Sequence, residues 1–176
     1  VRNANAGLFP AILKVARFGY DGKGQARVAD RDEAVAAFDE IKAAMDGAGG
    51  KVLVQEMISG RRELVMGMTR DQQFGPCVMF GLGGIFTEIF EDVSFRKAPI
   101  DVQDALEMMR EIRGRKILEA IRGMDAADTD ALADILIRLG QIGLDMNAVA
   151  EIDINPLIIS GSRPVAVDAL LVLRPQ

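Results

Sequence analysis

Residues 151–157 run Glu151-Ile152-Asp153-Ile154-Asn155-Pro156-Leu157, and another carboxylate, Asp168, follows thirteen residues after Asn155. In a strand, side chains two apart share a face, so Glu151, Asp153 and Asn155 line one side while Ile152 and Ile154 line the other. The segment is therefore constrained to be a strand with a packed back and an oxygen-bearing front, with a second strand bringing up Asp168. Three such groups on a half-buried face are costly unless something cationic satisfies them. Hard divalent cations such as Mg²⁺ take ligands of this kind, usually one or two from the protein, with substrate phosphates completing the shell. The run points to metal–nucleotide chemistry.

At 176 residues the chain is long enough for one good core, or for one domain plus a small lobe. No stretch approaches the ~20 uninterrupted apolar residues of a membrane span, so no membrane partner is expected. A net charge of −5 without a basic stripe argues against nucleic acid as a partner. The single Cys77 excludes an internal disulfide and suits a reducing compartment, hence a cytoplasmic location. The absence of His weighs more: no imidazole is present to act as base, metal ligand or phosphoryl acceptor. Ser/His and Cys/His nucleophiles are excluded for this chain alone, as is zinc built from Cys and His. Lys, Arg, carboxylates, amides, backbone N–H groups and a borrowed metal remain. The start, Val1-Arg2-Asn3-Ala4-Asn5, has no apolar signal segment and no Met, and reads as part of a longer or processed chain.

Phe9 to Val15 reads as a buried strand carrying one Lys, and Gly19-Tyr20-Asp21-Gly22-Lys23-Gly24 as a loop. Gln25 to Ala29 returns as a strand, and Arg31 to Met45 has helical period with Asp30 as N-cap. Lys51 to Met57, Arg62 to Thr69 and Phe74 to Phe80 read as an antiparallel meander. Residues 85–95 read as short extended or turn structure. Asp101 to about Met124 is helical with a break at Gly114, and Asp128 to Leu144 gives another helix. Two closing strands, Ala150 to Ile159 and Pro164 to Val172, flank a turn at Ser160-Gly161-Ser162. The glycines at 47–50 mark a boundary between a small lobe, 1–50, and a larger α+β lobe, 51–176.

Lys14 ends an apolar strand just before the glycine loop. A cation there meets nucleotide phosphates while loop N–H groups fold over them; the competing reading is an edge-strand Lys with its head in water. Gly81-Leu82-Gly83-Gly84 allows close backbone approach to a ligand, and Arg96 beyond it suits bidentate binding of phosphate or carboxylate. A tight turn and an exposed polar strand explain these residues equally well. Gln55-Glu56-Met57 followed by Glu63 reads by itself as an ordinary hairpin, although a chain crossing between lobes offers backbone groups to an adenine edge. Met108 and Met109 read as core; Arg61 and Arg62 receive no role.

Taken in order, these elements resemble an ATP-grasp nucleotide-binding unit. From about Lys51 onward the resemblance is to the ATP-grasp domain of NDP-forming acyl-CoA synthetases. It is carried by Val54 to Met57, Phe74 to Phe86, Asp92 to Pro99, Ile112-Arg113-Gly114 and Glu151 to Leu157. The strand at 155–157 and its partner Asp168 are also similar to the succinyl-CoA synthetase β subunit. That similarity implies Asn155 and Asp168 as Mg²⁺–nucleotide ligands with Asp153 in support, Glu56 and Met57 at an adenine hinge, and Glu63 at the ribose. The N-terminal stretch departs from this pattern: Leu13 to Gln25 looks like the ATPase subunit of phosphoribosylaminoimidazole carboxylase, another ATP-grasp enzyme, whose corresponding Lys and glycine loop contact ATP phosphates. The elements that usually precede Lys14 look truncated.

The resemblance implies the nucleotide-binding component of an ADP-forming acid–CoA ligase. It would use ATP/ADP and Mg²⁺ beside a CoA-binding partner domain or subunit that carries the phosphorylated His. Lys14 and Arg96 are the expected catalytic cations, and Gly22, Lys23, Gly24, Gly83 and Gly84 the expected nucleotide contacts. A carboxylate–amine ligase of the phosphoribosylaminoimidazole carboxylase type and a non-catalytic nucleotide-sensing module are the alternatives.

Overall fold

The computed structural model describes residues 5–15, 25–44, 51–84 and 91–175. The chain divides into two units, Val1–Met57 and Ile58–Gln176. In the first, β1 (Ala11–Val15) is flanked antiparallel by β2 (Gln25–Val28) and β3 (Val52–Glu56). Helix α1 (Arg31–Ala44) starts where the Asp30 carboxylate accepts the Asp32 and Glu33 N–H groups at 2.9 and 3.0 Å. Glu33 reaches back to the Ala29 N–H at 2.8 Å, closing a reciprocal cap. The apolar side of α1 places Ala34 and Ile41 with Ala11, Leu13 and Val28 in a small core. Burying Leu13 on that side turns Lys14 to the other face of the sheet.

The expected meander loses its first strand. β3 pairs along β1, from Ala11↔Glu56 to Val15↔Val52, and belongs to the first unit. The reason is packing: Val52 and Val54 complete the apolar patch under α1, which β1 and β2 leave unfinished. The division therefore falls after Met57, not at 50/51.

The second unit holds β4 (Glu63–Asp71), β5 (Gly75–Leu82), β6 (Val93–Lys97), β7 (Val149–Ser160), β8 (Arg163–Ala166) and β9 (Ala169–Leu173). All pairings are antiparallel, in the order β6-β5-β4-β7-β8, with β9 also on β7. The β4–β5 hairpin closes where Asp71 Oδ1 accepts the Gln73 and Phe74 N–H groups at 2.7 and 2.8 Å. Helices α2 (Val102–Glu111) and α3 (Thr129–Asp145) cover one face, with Met108, Leu132, Leu136 and Leu139 against Leu64, Met66, Met68, Val78 and Phe80. Met108 is core, as the sequence implies. Arg70 donates to the carbonyls of Gly143 (2.7 Å) and Met146 (3.2 Å), a cation at the α3 C-terminus, where the helix dipole favours it.

Two further expectations are corrected. The helical pattern over 101–124 ends at Glu111 and gives way to a 3-10 turn at Arg115–Leu118. The buried Asp92 carboxylate causes this by accepting the N–H groups of Arg113 and Gly114, both at 2.7 Å. The second closing strand splits into β8 and β9 around Asp168. Pro156 has no N–H to give the ladder, and β7 steps by one residue where Leu64 faces Leu157 but Met66 faces Ile154.

Candidate functional site

In the second unit the helices cover the face of Leu64, Met66 and Met68, so Glu63, Val65 and Gly67 point the other way. Gly67 is the ladder partner of Asp153, which places Asp153 on that same face, away from the helices. Ile152 and Ile154 pack into the core behind it, as the alternation requires. At the β7 step, the Asn155 N–H donates to the Asp168 carbonyl (3.3 Å) and the Val167 N–H to the Pro156 carbonyl (3.1 Å). Asp168 Oδ1 accepts the Ala169 N–H at 2.9 Å, which fixes the turn into β9. The structure thus brings Asp153, Asn155 and Asp168 to one end of one sheet face.

The electrostatics follow from that crowding. Burial holds the Asp153 carboxyl above the ordinary carboxylate range, and the negative charges of Glu151 and Asp168 raise it further. Among the described residues, no three His, Cys, Asp or Glu side chains stand close enough to hold a metal by themselves. The donors are all hard oxygens, two carboxylates and a carboxamide, and the mutual repulsion is what a cation relieves. This donor set fits Mg²⁺, which keeps few protein ligands and completes its shell from phosphates and water.

Glu63, Gly83 and Gly84 form the neighbouring part. The Gly83 N–H donates to the Glu63 carbonyl at 2.8 Å. A side chain at Gly83 would place Cβ 2.8 Å from three backbone atoms of Glu63 and Leu64, so only glycine fits. Gly84 has φ +65°, and a Cβ there would lie 2.6 Å from the Glu63 carboxylate. Glu63 and Asn155 stand about two residues apart along the strands, ~7 Å, so they meet different parts of an elongated ligand.

Arg96 is not brought to this face. It pairs with Val78 in the β5–β6 ladder and so shares the helix-covered side. Its guanidinium grips Glu111 of α2 through both oxygens, one contact being Nη1 to Oε2 at 2.9 Å. Ser94 Oγ donates to the same carboxylate at 2.6 Å. The Arg96 contact first, then the Ser94 hydroxyl, holds the Glu111 carboxyl down to about 2. Arg96, expected as a catalytic cation, instead ties β6 to α2 on the helix side of the sheet.

In the first unit, Lys14 lies on the face opposite α1, between Gln25 and Leu53 in the ladders. The Met57 N–H donates to the Pro10 carbonyl at 3.1 Å and is already committed. That bond makes Ala11–Glu56 a non-hydrogen-bonded pair, so the Glu56 N–H and C=O point to the outer edge of β3. Of the expected hinge pair, Glu56 offers main-chain groups outward and Met57 turns its N–H inward. Gly22, Lys23 and Gly24 lie outside the described residues.

Two supporting residues had no role in the sequence reading. Asp92 anchors the chain leaving the glycine segment, through its carboxylate and through its own carbonyl, which accepts the Leu82 N–H at 3.3 Å. Arg62 is 3% exposed and donates to three backbone carbonyls. Their partners lie 21 to 99 residues away in sequence, so no local signal marks them.

A sequence model described as an ATP-grasp domain matches residues 22–173. The chain is 50% identical over 122 residues to the acetate–CoA ligase (ADP-forming) I β subunit of Pyrococcus furiosus, covering 69% of this chain and 53% of that one. It is 46% identical over 142 residues to acetate–CoA ligase (ADP-forming) I of Archaeoglobus fulgidus, covering 78% of this chain and 21% of that one. The chain thus spans about half the length of the first relative and a fifth of the second. Among solved structures, acetyl-coenzyme A synthetase 1 of Ca. Korarchaeum cryptofilum with coenzyme A and Ca-AMPCP superposes with a TM-score of 0.86 at 40% identity, covering 94% of this chain and 77% of that one. A second structure of that enzyme, with coenzyme A, Mg-AMPPCP and its phosphohistidine segment pointing towards the nucleotide binding site, gives a TM-score of 0.82 at 39% identity, over 94% and 77%.

Proposed function

The chain belongs to the ATP-grasp family, and from that premise we propose that it is the nucleotide-binding component of an ADP-forming acyl-CoA synthetase. The overall reaction is acyl-CoA + ADP + phosphate ⇌ carboxylic acid + CoA + ATP. Phosphate displaces CoA to give an acyl phosphate, a His on another segment takes the phosphoryl group and releases the acid, and ADP takes it from the His. This chain serves the last transfer, and the CoA and acyl sites belong to the partner domain or subunit.

The observation that carries the reading is the step in β7 that sets Asn155 against Asp168 beside the raised Asp153 carboxyl. In the proposed complex, Asn155 and Asp168 hold Mg²⁺ with Asp153 behind them, and the ion offsets phosphate charge when bound. Glu63 accepts from the ribose hydroxyls, with Gly83 and Gly84 leaving the backbone low enough for close approach. Glu56 offers main-chain groups to the adenine, and Lys14, with Gly22, Lys23 and Gly24, meets the phosphates. Catalysis is then positioning and charge neutralisation. Among the described residues no helix is long and apolar enough to cross a membrane; a cytoplasmic site of action is part of the proposal.

Calorimetry with Mg·ADP and Mg·ATP tests it. Binding is expected in the micromolar to millimolar range, with Asn155→Ala weakening it at least tenfold (~1.4 kcal/mol). Undetectable binding at millimolar nucleotide, or an Asn155→Ala variant indistinguishable from the parent, refutes it.

A further inference from the structure

Arg62 is a buried cation whose described partners are all backbone carbonyls. Nη1 donates to the Ile117 and Glu119 carbonyls at 3.3 and 3.4 Å, and Nη2 donates to the Gly161 carbonyl at 2.7 Å. Burying a guanidinium is costly unless its donors are met, and here one side chain meets the end of the 3-10 turn and the tip of the β7–β8 hairpin together. Its own carbonyl accepts the Ile159 N–H at 3.0 Å. Arg62 is therefore clamped from both side chain and main chain at the point where β4 begins.

The next residue is Glu63. Successive residues point to opposite faces, so Arg62 holds the strand from the helix side while Glu63 projects on the opposite side, its carboxylate beside Gly84. Glu63 stands at the very start of β4, opposite Ile158, with the Gly83 N–H on its carbonyl and Gly84 beside its carboxylate. The clamped residue just before it therefore helps to fix its position. The hairpin that Arg62 also grips leads through β8 to Asp168.

Resting on the proposed nucleotide reading, we propose that Arg62 is the positioning residue that sets Glu63 against the ribose hydroxyls. It touches no substrate and acts through the Glu63 backbone. Replacing its five donors with an apolar chain of similar length lets the start of β4 shift and moves the Glu63 carboxylate away from the ribose. Binding energy is lost only for ligands that have those hydroxyls.

The test compares calorimetric affinities for Mg·ADP and Mg·2′,3′-dideoxy-ADP in the full chain and in Arg62→Met, Arg62→Lys, Glu63→Gln and the Arg62→Met/Glu63→Gln double variant. Arg62→Met should weaken ADP about tenfold and leave dideoxy-ADP unchanged, as losing one hydrogen bond to a charged group would. Arg62→Lys should fall between, and the double variant should bind ADP no worse than Glu63→Gln alone. If Arg62→Met does not fold, Arg62→Lys carries the same comparison. Equal losses for both nucleotides at position 62, or no loss for either, while Glu63→Gln still discriminates them, overturn the proposal alone. A Glu63→Gln variant that fails to discriminate them overturns the ribose reading along with it.

Discussion

Gly84→Ala separates binding from folding more sharply than any other change near the site. Gly84 sits at φ +65°, where a residue with a Cβ pays about 1–2 kcal/mol. The added carbon would lie 2.6 Å from Glu63 Oε2, the free end of a flexible side chain. The carboxylate swings away at little further cost to stability, but on the proposed reading it leaves the ribose. A hydrogen bond to a charged group contributes roughly 1.5–3 kcal/mol, so Mg·ADP affinity should fall about 10- to 100-fold while unfolding free energy drops by only ~1–2 kcal/mol. Gly83→Ala should behave oppositely. Its Cβ meets Glu63 and Leu64 backbone at 2.8 Å, and backbone cannot swing aside. Strain of ~1–3 kcal/mol and the loss of a bond contributing ~1 kcal/mol should lower stability by about 2–4 kcal/mol. Urea unfolding gives one quantity and calorimetry the other. A Gly84→Ala chain that loses stability yet binds Mg·ADP like the parent refutes the reasoning, as does a Glu63→Ala/Gly84→Ala double variant whose affinity losses add.

Asp153→Asn should stabilise the nucleotide-free chain at neutral pH and reduce the stabilisation gained from Mg²⁺. The Asp153 folded-state value lies above its unfolded value of 3.8, so its stability cost is absent below 3.8 and grows as pH rises through the folded value; melting temperature against pH, with and without Mg²⁺, checks this. Glu111→Gln has the opposite sign. The Glu111 folded value of about 2 lies below 4.5, so its contribution is present above 4.5 and lost as pH falls toward 2. With its side chain 48% exposed and Arg96 28% exposed, that contribution should be ~0.5–1 kcal/mol after screening. Urea unfolding reads it, and Mg·ADP affinity should not change. Lys14→Met should fold normally, since Leu13 and not Lys14 faces α1, while ADP affinity drops about tenfold and adenosine affinity stays as it was; equal loss of both ligands in calorimetry would remove Lys14 from the phosphates.

The alternation over 151–157 was readable because a period of two leaves no choice about which residues face inward. The α1 cap was readable because Asp30 and Glu33 carry their own partners within four residues. What the pattern could not state was pairing. Val52 to Glu56 has the half-buried look of a strand in either sheet, and only the unfinished apolar patch under α1 sends it to β1. Arg96 misled for a different reason. An Arg beyond a glycine run reads as a ligand contact, but in β6 Phe95 is 50% exposed and Ser94 is buried, so Arg96 turns to the helix side. Glu111, fifteen residues beyond Arg96, supplies the inward partner that reverses the usual order. Arg62 and Asp92 were silent because their bonds reach carbonyls and N–H groups that every residue possesses.

On the proposed reading the charge on the face of Asp153 also bears on how a phosphoryl donor approaches. The 176 residues contain no His, so the phosphoryl group must arrive on another segment, and in the Korarchaeum structure with Mg-AMPPCP a phosphohistidine segment points towards the nucleotide binding site. On the proposed reading a phosphorylated segment would approach the face of Asp153, whose carboxyl is raised first by burial and then by the charges of Glu151 and Asp168. A phosphorylated side chain carries further negative charge and is repelled by the same three groups unless their charge is first offset. Mg·ADP is itself a net anion, so on this reading the offset has to come from the divalent cation beside Asp153 and Asp168 and not from the nucleotide.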